Sequence, residues 1–313
     1  MHCIDKQIYF IEFNGRLVSV ESQVAAVSDK IEKLFKDLLT TSVTCVQTND
    51  KNNVNSGLIK TYSVEQSSTD AAVIIKQAEQ MVHVQSDGHD VEVANVLMNH
   101  IKLDLLSDID DSLVLHAGLV SYQGQSILLP GNSGRGKSLT TLGLLSLGCH
   151  YHTDEVVLQH LDDDRLSVFV RPLMIKQDGI EAARSLLGSE FDRCAIQGIS
   201  MHSLPIEALH SFFKTVPLNE KIKAQHALRQ PPLIQCIVFP CYDAKSQGEI
   251  LSLSPAQTMI QLFKNNVVAR NLPGLGAATL KKLSLQAKGV KLNYAGYHQL
   301  PKLFQGIESM MKM

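Results

Sequence analysis

The octapeptide Gly131-Asn132-Ser133-Gly134-Arg135-Gly136-Lys137-Ser138 satisfies the spacing G-x-x-x-x-G-K-[S/T] at every defined position. At ordinary residue usage such a match arises by chance in roughly one chain in a hundred of this length, so its flanks decide what it means. The apolar run Ser126–Pro130 (SILLP) before it has strand character. The run Leu139–Leu147 after it (LTTLGLLSL) has helical character and is followed by Gly148, a residue suited to the left-handed turn that ends a helix. A strand, a glycine-rich turn and a helix in immediate succession constrain this half of the chain to an α/β core.

The chemistry of that spacing is specific. Glycines let the chain turn tightly, so that successive backbone N–H groups point inward at anionic oxygens. The helix that follows adds the positive end of its dipole. Lys137 is then expected to reach the β- and γ-phosphates of a nucleoside triphosphate, ATP, and the Ser138 hydroxyl to ligate Mg²⁺. The backbone of residues 131–138 forms the cradle, with Arg135 either a further phosphate contact or a solvated loop residue.

The length allows two domains, or one large domain with an appendage. Of 313 residues, 44% are hydrophobic and 19% charged, so an ordinary core can form. Lys and Arg number 29 against 31 Asp and Glu, a formal net charge of −2, which argues against nucleic acid or an anionic membrane as main partner. No apolar run reaches the length of a membrane span, and the opening MHCIDKQIYFIEFNG does not read as a signal peptide. The six cysteines are scattered without a CxxC pair, as expected of thiols in a reducing cytoplasm.

Residues 1–108 read as a separate α+β domain that supports the remainder, oligomerises or recognises a substrate. Asn14-Gly15 between Ile8–Phe13 and Arg16–Val20 predicts a two-residue hairpin. Val24, Val27, Ile31, Leu34, Phe35 and Leu38 recur at helical spacing, with Ser22 or Ser28 as caps. Residues 45–57 are polar and Asn-rich, a surface loop; short strands are expected at Leu58–Val64, Ala72–Lys76 and Met81–Gln85. Asp90–Leu106 is expected to be amphipathic, with Val93, Val96, Leu97, His100 and Leu103 on one side.

Residues 109–313 read as the nucleotide-binding domain. Strands are expected at Leu113–Tyr122, His150–Thr153, Val156–Gln159, Leu166–Val170 and Leu233–Phe239. Helices are expected at Gly179–Leu187, Glu207–Phe213, Pro255–Lys264 and from Leu300 onward. The segments at Asn271–Gly276 and Lys281-Lys282 read as loop and surface. Asp154-Glu155 follows Ser138 by only sixteen residues, room for one helix and one strand that bring it back beside the loop. One carboxylate there could ligate Mg²⁺ and another accept a proton from an attacking hydroxyl. His150 and His152 share a strand face but lack a third metal ligand, and Ser133 lacks the G-x-S-x-G context of a hydrolase nucleophile.

The compact block LVLHAGLVSYQG, GNSGRGKS and HYHTDEVVL resembles the HPr kinase/phosphorylase-related proteins, whose core is similar to that of phosphoenolpyruvate carboxykinase. RPLMIK (Arg171–Lys176) and the stretch Leu233–Phe263 resemble later segments of such chains, so the likeness runs over about residues 112–265. It implies a P-loop kinase: a cytoplasmic, ATP- and Mg²⁺-dependent transferase acting on a hydroxyl acceptor. By the resemblance Asp154 is the acid and base facing the acceptor, Glu155 assists Mg²⁺, and His116 orients the acceptor. Arg171 is a candidate contact for the nucleotide phosphates. The chain departs from the family in having Glu155 where a second Asp is usual, and in lacking the glycine-rich segment and basic loop that follow the acidic pair. A hydroxyl-bearing protein, peptide or metabolite other than HPr is therefore the expected acceptor. A nucleotide-binding regulatory module and a carboxykinase-like enzyme are the alternatives.

Overall fold

The computed structural model describes residues 6–40, 58–67, 72–78, 80–85, 89–107, 109–131, 134–213, 231–264 and 272–312. The chain divides into two compact units, residues 1–108 with 196–199, and residues 109–195 with 200–313. The expected loop at residues 45–57 lies outside the described residues.

In the first unit, β1 (Gln7–Phe13) and β2 (Arg16–Ser22) pair antiparallel around Asn14 and Gly15, both at positive φ. That is the two-residue turn whose twist matches paired strands. β3 (Leu58–Gln66), β4 (Val73–Gln77) and β5 (Gln80–Gln85) extend the sheet in the order β1-β2-β3-β4-β5. α1 (Ala25–Leu34) ends earlier than the apolar repeat suggests, although Phe35 and Leu38 remain buried beyond it. Neither Ser22 nor Ser28 caps it from the N-cap position, which Val24 occupies.

α2 (Asp90–Leu106) carries Asp90 and Glu92 in its first turn, where carboxylates complement the helix dipole. Its buried stripe runs through Ala94, Leu97, Met98, Ile101 and Leu105. Leu103, expected on that stripe, is exposed; at about 100° per residue it lies some 80° around the helix from Val93. Asp104 on the buried side accepts hydrogen bonds from Lys60 (2.6 Å), Tyr62 (2.5 Å) and Gln77 (2.9 Å), tying α2 to the sheet.

The second unit is mixed α/β. Its main sheet has the order β10-β9-β6-β7-β14-β16-β15, with β8 also paired to β6. The strands are β6 (Ser112–Tyr122), β7 (Gln125–Pro130), β8 (His150–Thr153), β9 (Val156–His160), β10 (Leu166–Phe169), β14 (Ile234–Tyr242), β15 (Glu249–Leu253) and β16 (Lys288–Tyr294). β7, β14 and β16 run parallel at the centre, and antiparallel strands flank them. β11 (Leu173–Lys176) pairs antiparallel with β13 (Met201–Leu204) beside α4 (Ile180–Leu187) and α5 (Ser189–Cys194). The short β12 (Ile196–Gln197) lies in the stretch 196–199.

α3 (Lys137–Ser146) follows β7, and its buried residues run from Thr140 to Leu145. Gly143 has no room for a side chain: a Cβ there would stand 2.2 Å from Leu300 Cδ1 and 3.1 Å from the Tyr297 ring. The helix Leu300–Met311 thus lies directly against α3, burying Leu303, Phe304 and Ile307, while Phe304 meets Tyr122 edge-on at 5.0 Å. Lys281 and Lys282 sit in a helix, Ala277–Gln286, and not in a loop; Leu280 and Leu283 form its buried side and the lysines its solvent side. Among the described residues no helix is long and apolar enough to cross a membrane.

Candidate functional site

β7 ends at Pro130, and the chain leaves it through Gly131. Gly134 (φ 82°) and Gly136 (φ 87°) adopt left-handed backbone that side chains rarely tolerate. Gly136 is also crowded, because a Cβ there would stand 2.7 Å from Tyr294 Oη and 3.3 Å from Tyr242 Cβ. Gly136 then becomes the N-cap of α3, whose first turn holds no acidic residue to occupy its free N–H groups. Tyr294 braces the turn, its hydroxyl exchanging a hydrogen bond with Thr140 Oγ1 (2.8 Å) and donating to Gly136 O (3.3 Å). Burial pushes the Tyr294 hydroxyl up to about 12, so it stays protonated and able to donate. Asn132 and Ser133 lie outside the described residues, and Arg135 is exposed.

Asp154 closes the site. Lys137 Nζ donates to its Oδ1 at 2.7 Å and to its backbone carbonyl, and Ser138 Oγ donates to Oδ2. Both members of the ion pair are largely buried, with side chains 11% (Lys137) and 6% (Asp154) exposed. Gly118 on β6 makes room: a Cβ there would meet Asp154 Oδ1 and Thr141 Oγ1, each at 3.1 Å. A glycine inside an apolar strand marks such a close approach. Gly118 within its apolar strand is the sequence signal for that approach; Thr141 and Tyr294 carry no comparable one.

The neighbouring carboxylate is used differently. Glu155 Oε2 accepts from Arg171 Nη1 at 3.1 Å, and Glu155 Oε1 stands 3.9 Å from His116 Nδ1. Arg171, a candidate either for the nucleotide phosphates or for a salt bridge, is 5% exposed and donates to Glu155; its Nε has no hydrogen-bond partner among the described residues. Two short anchors explain the placement. Thr153 donates to Phe169 O (2.7 Å) and Tyr151 to Arg171 O (2.9 Å), which tie β8 to the segment carrying Arg171. Ala117 N donates to Glu155 O (3.2 Å), which pins the acidic pair to β6. Burial first, and the Asp154 charge next, raise the Tyr151 hydroxyl well above its ordinary value.

His116 is an exposed residue and not part of the core: along β6 it alternates with the buried Leu115 and Ala117, on the same strand face as Gly118. The two acidic side chains therefore serve separate clusters. Asp154 joins Lys137 and Ser138, while Glu155 joins Arg171 and His116. The oxygens of Ser138 and Asp154 suit a hard cation such as Mg²⁺, which takes one or two protein oxygens beside phosphate. Glu155, expected to assist the metal, is engaged by the Arg171 guanidinium. His152 donates to or accepts from Ser121 Oγ at 2.8 Å, and among the described residues no group of three His, Cys, Asp or Glu could hold a metal.

Taken together, an α/β sheet with a glycine-lined turn, a helix N-terminus, a lysine, a hydroxyl and a carboxylate converging is an arrangement able to hold a polyanion and a hard cation. No family model matches the chain, and no curated protein matches it. Among solved structures it is distantly similar to the HPr(Ser) kinase/phosphatase from Coxiella burnetii, at 14% identity and a TM-score of 0.31, over 64% of this chain and 99% of that one.

Proposed function

We propose that the chain transfers the γ-phosphoryl group of ATP to a hydroxyl acceptor. The observation that carries this reading is the carboxylate of Asp154 spanning Lys137 and Ser138 at the entrance of α3. The N–H groups of residues 134–138 and the start of α3 hold phosphate oxygens. Lys137 turns from Asp154 to the β- and γ-phosphates, which leaves Asp154 Oδ1 free to face the acceptor. Ser138 and Asp154 would hold Mg²⁺, which would supply neutralisation of the charge on the transferring phosphoryl.

The acceptor oxygen forms the new P–O bond as the bond to the β-phosphate oxygen breaks, and its proton passes to Asp154. His116, exposed beside the acidic pair, orients the acceptor. Arg171 positions Glu155, and through it His116. The first unit is assigned to support or to acceptor recognition.

Incubating the pure protein with γ-labelled ATP, Mg²⁺ and candidate hydroxyl compounds or extract proteins tests the reading. An acid-stable label on a hydroxyl supports it. Label that only reaches water identifies a hydrolytic or regulatory nucleotide module, and an acid-labile acyl phosphate identifies a carboxykinase-like reaction; either outcome overturns it.

A further inference from the structure

A chain of polar side chains outside the cluster around Lys137 crosses the strands β6, β9 and β10. Leu161 N donates to Asp111 O at 2.9 Å, a hydrogen-bonded pair of the antiparallel ladder between β6 and β9. Hydrogen-bonded and non-hydrogen-bonded pairs alternate along such a ladder. The next pair, Ser112 and His160, is therefore of the second kind, in which facing side chains stand closest. On the other side of β9, His160 N donates to Arg165 O at 2.9 Å, and Ser167 pairs with Leu158. Ser167 thus lies diagonally across the same sheet face from His160, within reach of its ring. His160 Nδ1 is 3.1 Å from Ser112 Oγ, and His160 Nε2 is 2.9 Å from Ser167 Oγ.

The direction of these hydrogen bonds follows from their far end. Ser112 Oγ donates to Asp111 Oδ1 at 2.8 Å. A hydroxyl has one proton and a carboxylate only accepts, so toward His160 the Ser112 oxygen acts as acceptor. In the neutral ring Nδ1 then carries the hydrogen and Nε2 the lone pair. That lone pair faces Ser167, whose hydroxyl donates to it. A polar staple between strands would work with either tautomer; the carboxylate behind Ser112 selects one.

Burial is graded along the chain. Ser112 is fully buried, the His160 ring is 9% exposed, and Ser167 at the end is partly open to solvent. A hydroxyl within hydrogen-bond reach of a base, with that base oriented by a third group, is the arrangement that activates a serine.

We propose that Ser167 is a nucleophile that takes an acyl group from an activated ester, with His160 as its base and Ser112 and Asp111 as positioning residues. Ser167 Oγ forms a bond to the acyl carbon while its proton passes to His160 Nε2. The bond from that carbon to the leaving oxygen breaks, and this oxygen receives the proton from Nε2. The products are an O-acyl serine and an alcohol or phenol. While the ring is charged, its Nδ1–H remains directed at Ser112, with Asp111 behind. Leu158 and Val114 share the row of Ser167 on that face, which favours an uncharged acyl group. The proposal does not depend on the phosphoryl-transfer reading.

The full chain is treated with 4-nitrophenyl acetate, the released nitrophenolate is followed, and the acetyl group is located by peptide mass mapping. Acetyl should accumulate at Ser167 ahead of every other serine. Ser167→Ala should abolish that label, and His160→Gln should slow it by about 10²-fold or more. Labelling of Ser167 no faster than that of other serines, or an unchanged rate in His160→Gln, overturns the proposal. A spectroscopic readout needs no variant: in ¹⁵N-histidine spectra of the neutral ring, His160 should carry its proton on Nδ1. Ser112→Ala should weaken that preference and slow acetylation by about tenfold or more. A proton on Nε2 in the wild type, or acetylation indifferent to Ser112→Ala, reduces the chain to a staple between strands and likewise overturns the proposal.

Discussion

Lys137 and Asp154 hold each other at two points, the lysine donating both to Oδ1 and to the backbone carbonyl of the aspartate. The ammonium and the carboxylate thus neutralise each other, and under the proposed reading the nucleotide must separate them. Asp154→Asn removes the proton acceptor and keeps the shape. Transfer should fall by about 10²–10⁴-fold, while calorimetric ATP affinity should not weaken. A parallel loss of both would make Asp154 a scaffold of the loop instead.

Lys137→Met separates stability from function. It leaves a largely buried carboxylate with only Ser138 as side-chain hydrogen-bond partner among the described residues, and removing one member of such a pair costs about 3 kcal/mol. Urea unfolding should show that loss together with loss of ATP binding. A stable variant would mean that water already reaches Asp154.

Gly136→Ala addresses the turn. The new Cβ would combine a strained φ of 87° with a 2.7 Å contact to Tyr294 Oη, a cost on the order of 2 kcal/mol. Adding Tyr294→Phe, which deletes that hydroxyl, should recover part of the stability in thermal unfolding. It should recover none if backbone strain alone is responsible.

Arg171 tests the division between the two acidic side chains. Because its guanidinium pairs with Glu155, Arg171→Met should leave the Kd for ATP within about twofold while reducing transfer and destabilising the fold. A large loss of ATP affinity would return Arg171 to the phosphates.

Two histidines set a pH dependence. Burial lowers the pKa of His150; burial, and then the charge of His150, lowers that of His210, whose Nε2 has no partner among the described residues. Above the ordinary value of 6.5 both states are neutral and no stability is at stake. As pH falls through 6.5 toward the lower folded values, the unfolded chain takes up protons first and stability is lost. Tm should drop between about pH 7 and pH 5, and less steeply in His150→Gln/His210→Gln.

The local parts of this architecture were readable in advance. Asn14-Gly15 dictates its hairpin, and the order strand, glycine turn, helix around Lys137 needs only neighbouring residues. What escaped depends on distant partners. β16 alternates Val290, Leu292 and Tyr294 inward, but Lys288, Gly289 and Lys291 dilute the pattern, and its partner β14 begins more than fifty residues earlier. The site divides in the same way. Asp154 could be placed from its distance to Ser138, whereas the turning of Glu155 toward Arg171 depends on the anchors of Tyr151 and Thr153. Hydroxyls that bond to carbonyls leave no periodic trace in a sequence.

Because Gly143 lets Leu300 and Tyr297 rest on the back of α3, the last helix acts as a doorstop for the element that opens with Lys137. Shortening the chain there, or fusing a bulky tag that levers the helix away, would loosen a turn about 160 residues upstream in the numbering. A preparation trimmed for convenience could then lose its ligand with every site residue still present.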